Sequence, residues 1–135
     1  MLRAYKYRIY PTKLQREKIE QHFGCCRYIY NWALAEKIKA YEETGKSLHR
    51  FELQKQLSPM KKEEKTRWLG DVFGHSLQAS LLNIESAYSN FYRRVKKGEK
   101  PGFPKFKSKH KKQSYQCPDA VSVDFETGTI KLPKI

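Results

Sequence analysis

Between residues 77 and 95 the apolar side chains return every three or four positions: Leu77, Leu81, Ile84, Tyr88, Phe91, Tyr92 and Val95. That period puts all seven on one side of an α-helix. A stripe about five turns long must be covered by other apolar surface, so the chain has to build a helical core around it. The pattern predicts a helix over 76–97, ended by Gly98, with the whole stripe as core.

The surroundings supply the cover. Residues 2–10 alternate in the manner of a half-buried strand, with Tyr5, Tyr7 and Ile9 on one face and Lys6 and Arg8 on the other. Pro11 ends that strand. Thr12 and Gln15 have capping-box spacing and open a helix whose first apolar positions are Leu14 and Ile19. Gly24 is expected to break it. A second helix over 25–43 then faces Ile29, Tyr30, Ala33 and Leu34 inward and stops at Gly45. Ser47 caps a short third helix carrying Leu48, Phe51 and Leu57, and Ser58-Pro59 is a break. Residues 63–69 form a charged turn or short helix anchored by Trp68.

Past the long helix the character changes. Lys100-Pro-Gly-Phe-Pro-Lys-Phe-Lys107 is unsuited to regular helix or strand interior. Residues 120–125 alternate again, with Val121, Val123 and Phe125 on one face. Residues 126–128 read as a turn and 129–132 as a returning strand. Two strands with an open edge make a poor unit alone, so the N-terminal strand is their expected partner. The fold class is α+β and mostly helical, with the two chain ends in one sheet.

Charge narrows the function. There are 28 Lys+Arg against 14 Asp+Glu in 135 residues, a formal charge of +14. Such an excess repels itself in a compact state and points to a polyanionic partner. The sequence has neither a long apolar span nor a basic amphipathic helix with a lipid-facing side, so nucleic acid is expected rather than a membrane. Between 93 and 112 the basic residues are Arg93, Arg94, Lys96, Lys97, Lys100, Lys105, Lys107, Lys109, Lys111 and Lys112, with Glu99 the one acid. Charges this dense neutralise phosphates. Phe103, Phe106 and Tyr115 stand beside them, as residues that stack on unpaired bases do, or as residues that pin the loop to the core.

Catalytic signals are scarce. The histidines (His22, His49, His75 and His110) are isolated, and Asp71, Asp119 and Asp124 do not assemble the converging carboxylates of a two-metal site. Cys25 and Cys26 are adjacent rather than spaced as zinc ligands, and with Cys117 the count is odd. Buried thiols in a reducing cytoplasm fit best.

Three stretches, Arg3-Ala-Tyr-Lys-Tyr-Arg-Ile-Tyr-Pro-Thr12, Phe23-Gly-Cys-Cys-Arg-Tyr-Ile-Tyr-Asn-Trp-Ala-Leu-Ala35 and Lys100-Pro-Gly-Phe-Pro-Lys-Phe-Lys-Ser-Lys109, together resemble the N-terminal part of TnpB (OrfB) proteins of bacterial insertion sequences. The family's members are compact RNA-guided DNA nucleases. The resemblance implies a helical recognition lobe inserted into an incomplete, wedge-like β-barrel. Residues 1–11 would be the first wedge strand, 12–98 the lobe, and 99–135 the basic loop and returning wedge strands, with the nuclease domain absent. It implies a structured guide RNA and double-stranded DNA as partners, a bacterial cytoplasmic setting, and neither cofactor nor metal in this chain. By position, Gln78 faces the target-adjacent duplex, with Tyr41 and His75 near it. Gln113, Ser114 and Tyr115 form a second reading group. Tyr5, Lys6, Arg8, Arg27, Asn31 and the lysine-rich loop become RNA or backbone contacts. An open sheet edge at Ile135 allows a homo-oligomer. A free-standing helix-turn-helix regulator and a small structural RNA-binding protein are the alternatives.

Overall fold

A computed structural model describes residues 2–135. Its scaffold is three helices: α1 (Lys13–Thr44), α2 (Arg50–Lys62) and α3 (Gly74–Lys97), with a 3-10 segment (Glu64–Asp71) between the last two. A short antiparallel hairpin, β1 (Ser122–Asp124) and β2 (Thr129–Lys131), closes the chain.

The local signals act as expected where they are local. Thr12 accepts from the Gln15 amide and the Gln15 side chain accepts from the Thr12 amide, which completes the capping box of α1. Gly45 and Gly98 take left-handed φ of 70° and 72° and end α1 and α3. In the hairpin, Asp124 Oδ1 accepts from the amides of Glu126 and Thr127, which holds its carboxyl below the usual range and folds the turn.

Four local expectations are overridden. Gly24 does not break the helix; α1 runs through it as a single rod of 32 residues, about 48 Å long. A mid-helix glycine costs only about 1 kcal/mol relative to alanine. The burial of Cys25, Cys26, Ile29, Tyr30, Ala33 and Leu34 just beyond the expected break outweighs that. Pro59 lies inside α2, in its last turns, where it removes one bond without stopping the helix. The N-cap of α2 is His49, whose Nδ1 accepts from the Phe51 amide, and not Ser47. The residue that holds the 3-10 segment to the core is Leu69, fully buried. Trp68 is partly exposed; its indole stands edge-on to Tyr28 at 4.9 Å and donates to the Lys65 carbonyl.

The core lies where α1, α2 and α3 meet, built on Ile29, Leu34, Leu53, Leu69, Leu77, Leu81 and Ile84. The α3 stripe is therefore core only in its first half. Tyr88 is half-buried against it, while Tyr92 and Val95 are about half exposed, because α3 outruns the helices that cover it. Lys37 is buried among these helices: its Nζ donates to the Leu48 carbonyl at 2.6 Å and pairs with Glu85 at 3.4 Å. Glu85 also accepts from the Arg50 amide, so one carboxylate caps α2 and neutralises a buried cation.

Cys26 lies level with Ser76 and Lys37 with Glu85. Helices α1 and α3 therefore run in the same direction, and α2 with the 3-10 segment makes the return.

Residues 2–11 form no ladder. Among the described residues the sheet is the β1–β2 hairpin alone, so a barrel is not formed within it. The two ends do approach: Arg8, Ile9, Tyr10 and Pro11 share a cleft of about 960 Å³ with the hairpin's return through Leu132. They meet across that cleft rather than by strand pairing, and every residue of both strands is exposed. No helix among the described residues is long and apolar enough to cross a membrane.

Candidate nucleic-acid interface

The basic run forms an extended segment that threads back along the groove between α1 and α3. Its direction is fixed by contacts. Phe103 packs edge-on against Tyr88 and Phe91 at 5.7 and 5.3 Å. The Lys107 amide donates to Asn31 Oδ1 at 2.7 Å, and Asn31 Nδ2 donates to the Lys107 carbonyl at 2.9 Å. Arg27 donates to Gln113 at 2.9 Å. The Tyr115 ring rests on His22 and Phe23 at 5.0 and 5.5 Å, and His75 meets Asp119 at 2.8 Å. As the segment advances from 103 to 119, its partners retreat from Phe91 to His75 and from Asn31 to His22.

Asn31 grips the segment through the shape of its side chain. A primary amide carries donor and acceptor groups in one plane, as a backbone peptide does. By pairing with both polar groups of Lys107, it imitates one rung of a β-ladder and holds an otherwise unpaired backbone against a helix. Gln113 clamps the other end: its Oε1 takes Arg27 while its Nε2 donates to the carbonyls of Ser108 and Lys111.

With the backbone pinned by side chains of α1, the lysines are left outward. Lys105, Lys109, Lys111 and Lys112 are exposed, as are Arg93, Lys96, Lys97 and Lys100 at the end of α3. Arg94 is half-buried and donates to the Pro101 carbonyl, and Lys107 lies over the Tyr30 ring at 4.4 Å. Glu99 remains the one acid among them. Such a surface raises the local positive potential and attracts phosphates.

The segment and the helices enclose a cavity of about 350 Å³. Arg27, Lys105, Lys107, Lys111 and Lys112 stand around it, Phe23 and Phe106 form apolar walls, and Ser80, Asn83, Ser114 and Gln116 bring hydroxyls and amides. Among the described residues no acid lines it.

The candidate reading residues are divided. Gln113, Ser114 and Tyr115 line the cavity, but the Gln113 amide is already engaged within the chain. The Tyr115 ring is turned onto α1, and its hydroxyl is buried without a hydrogen-bond partner among the described residues. Burial, with Cys117 and Cys26 beside it, raises the Tyr115 phenol far above its ordinary range. Gln78 is half-buried on α3, two residues and hence about 200° around the helix from Ser80, on the flank away from the cavity. His75 lies one turn from Gln78. Tyr41, level with the far end of the core, is about 20 Å along the bundle from it, so those two are not brought together. Phe103 and Phe106 are both about half exposed, and Phe103 rests edge-on against Tyr88 and Phe91 of α3. Tyr5, Lys6 and Arg8 are exposed on the N-terminal segment, and Tyr5 is stacked on Tyr7. Asn83 carries no signal in the sequence beyond its helical spacing from Ser76 and Ser80, and that spacing has meaning only once the segment lies across that face.

Known proteins resemble this chain over most of its length. Residues 1–46 match a family described as a helix-turn-helix domain of OrfB proteins. The protein named "Putative RNA-guided DNA endonuclease InsQ" of Escherichia coli (strain K12) is 31% identical over 99% of this chain and 32% of its own length. Its namesake "Putative RNA-guided DNA endonuclease" of Streptomyces pristinaespiralis is 31% identical over 98% of the chain and again 32% of its own length. The chain thus spans about a third of the length of these two relatives. "Virulence protein VsdF" of Salmonella dublin is 37% identical over 83% of the chain and 98% of its own length. Three separated motifs, a matching domain family and relatives aligned from end to end of the chain lead to one conclusion: the chain belongs to the TnpB/OrfB family and corresponds to its N-terminal region.

Proposed function

We propose that this chain is the nucleic-acid-holding module of a TnpB-type RNA-guided nuclease, binding a structured guide RNA and the DNA beside its target. The observation that carries the proposal is the basic segment. Its backbone is held to α1 by Asn31 directly and by Arg27 through the Gln113 side chain, and Lys105, Lys109, Lys111 and Lys112 are exposed. That arrangement holds phosphates without reading sequence. Reading is assigned to uncharged side chains, with Gln78, on the flank of α3 away from the cavity, as the candidate for a base edge. The names of two relatives describe RNA-guided DNA endonucleases, and those proteins are about three times as long, so cutting is assigned to the remainder of such proteins and not to this stretch.

The test is a comparison of ligands. Binding to a structured RNA from the element's own end should exceed binding to an unrelated duplex, and Gln78→Ala should relax preference at one base position without lowering affinity uniformly. A preference for a palindromic duplex would sink the reading. It would favour the alternative of a DNA-binding regulator that places a pair of helices in the major groove. The continuity of α1 through Gly24 weighs against it, since the expected pair of short helices is a single rod.

A further inference from the structure

We infer that the cavity between α1, α3 and the basic segment takes one unpaired nucleotide, its phosphate on the lysine rim and its base against the Phe106 wall. The inference rests on the nucleic-acid reading above and names the ligand of one part of that surface.

The size of the cavity limits what can enter. About 350 Å³ lies at the small end of ligand sites. It admits a single base with its sugar and excludes a stretch of duplex. Polarity narrows the choice further. Four lysines and Arg27 surround the opening and no carboxylate of the described residues lines it, so the site repels no phosphate and offers several cations to neutralise it. The lining is not charged throughout. Phe23 and the half-exposed Phe106 supply apolar surface, and Ser80, Asn83, Ser114 and Gln116 supply neutral donors and acceptors. A simple counterion surface needs none of these. A splayed-out base needs both: a ring face to stack on and amides for its edge. Finally, the cavity is built from fixed parts. Its walls are two helices and a segment whose backbone is held by Asn31 and Gln113, so it exists before the ligand arrives.

A base in the pocket must leave its stack. The ligand is therefore a single strand, a loop or a bulge, for which that cost is already met or small.

The test uses the whole chain, fluorescence anisotropy and three probes: a short oligouridylate, a short oligothymidylate and a blunt DNA duplex. Asn83→Tyr fills the cavity from an exposed position of α3 without changing charge. Phe106→Ala removes the stacking wall from a half-exposed position. Thermal melting checks that both variants fold like the parent. Both should weaken single-strand binding by about 5- to 150-fold, the range for one stacked base, with duplex binding and its salt dependence unchanged. A larger drop on uridylate identifies RNA as the source and a larger drop on thymidylate identifies DNA; either supports the pocket. Equal drops on strands and duplex, or none on any probe, overturn it. Absence of saturable binding to all three probes by the parent chain overturns the nucleic-acid reading as well, which separates the two failures.

Discussion

Cys25 and Cys26 are adjacent rather than spaced as zinc ligands, and both are buried in the core beside Ile29, as small hydrophobes are. Burial pushes the Cys26 thiol up to about 11 against the opposing hydrogen bond of Ser80, and pushes Cys25, with smaller help from Cys26 and Asp71, up to about 12 from an ordinary 9.0. The neutral thiol is the form the fold favours. Raised folded values mean that the stabilisation is complete below pH 9 and is lost as pH climbs through 11–12. Melting temperature should therefore fall through that alkaline window, and Cys25→Ser/Cys26→Ser should flatten the fall. At neutral pH, iodoacetamide should label Cys117 first and reach the other two only on unfolding, as peptide mapping would show. Equal labelling of all three would contradict their burial.

Several element boundaries were legible in the sequence from local signals. The Thr12–Gln15 box, the glycine stops at Gly45 and Gly98, and the 126–128 turn each depend on residues within a few positions. Gly24 and Pro59 misled because their weight is small beside tertiary burial, which periodicity sees only in outline. At Gly24 a β-carbon would meet Arg27 Nη2 at 3.8 Å, an ordinary contact. Gly24→Ala should thus raise unfolding free energy by about 1 kcal/mol in a urea titration. A destabilisation there would mean the glycine has a packing role. Asn31→Ala should act differently: it removes both bonds to Lys107 while leaving every charge in place. Hydrogen exchange at the Lys107 amide should speed up by about 5- to 150-fold, for a drop of roughly 1–3 kcal/mol in local protection. Unchanged exchange would show that the segment is held by something else.

At the scale of the whole molecule, the N- and C-terminal strands were expected in one sheet and instead flank a cleft, because alternation specifies a face and not a partner. The threading of 99–119 through the α1–α3 groove was illegible for a related reason. Asn31 and Lys107 are 76 residues apart, and Arg27 and Gln113 are 86 apart. No short-range pattern encodes such pairs. The basic run was legible as a charge but not as a fixed surface. Its consequence is measurable: replacing Lys105, Lys107, Lys109, Lys111 and Lys112 by Ala should weaken RNA and duplex alike. For the parent chain, six to ten phosphate contacts imply a fall of roughly 10³–10⁵ in affinity between about 50 and 200 mM salt, and each lysine–phosphate pair removed should flatten the log–log slope by about 0.7–0.9. A variant with parental affinity and slope would remove the segment from the binding surface.

The order of contacts along the threaded segment also has a mechanical meaning. Asp119–His75, Tyr115 on Phe23, Gln113–Arg27, Lys107–Asn31 and Phe103 on Phe91 are fasteners set one after another along the chain. Tension applied beyond Asp119 and directed away from the bundle loads them singly, as a zipper is loaded, while the three helices behind carry none of it. The segment that bears the lysines is therefore expected to peel from its C-terminal end, one contact after another, with the bundle still folded.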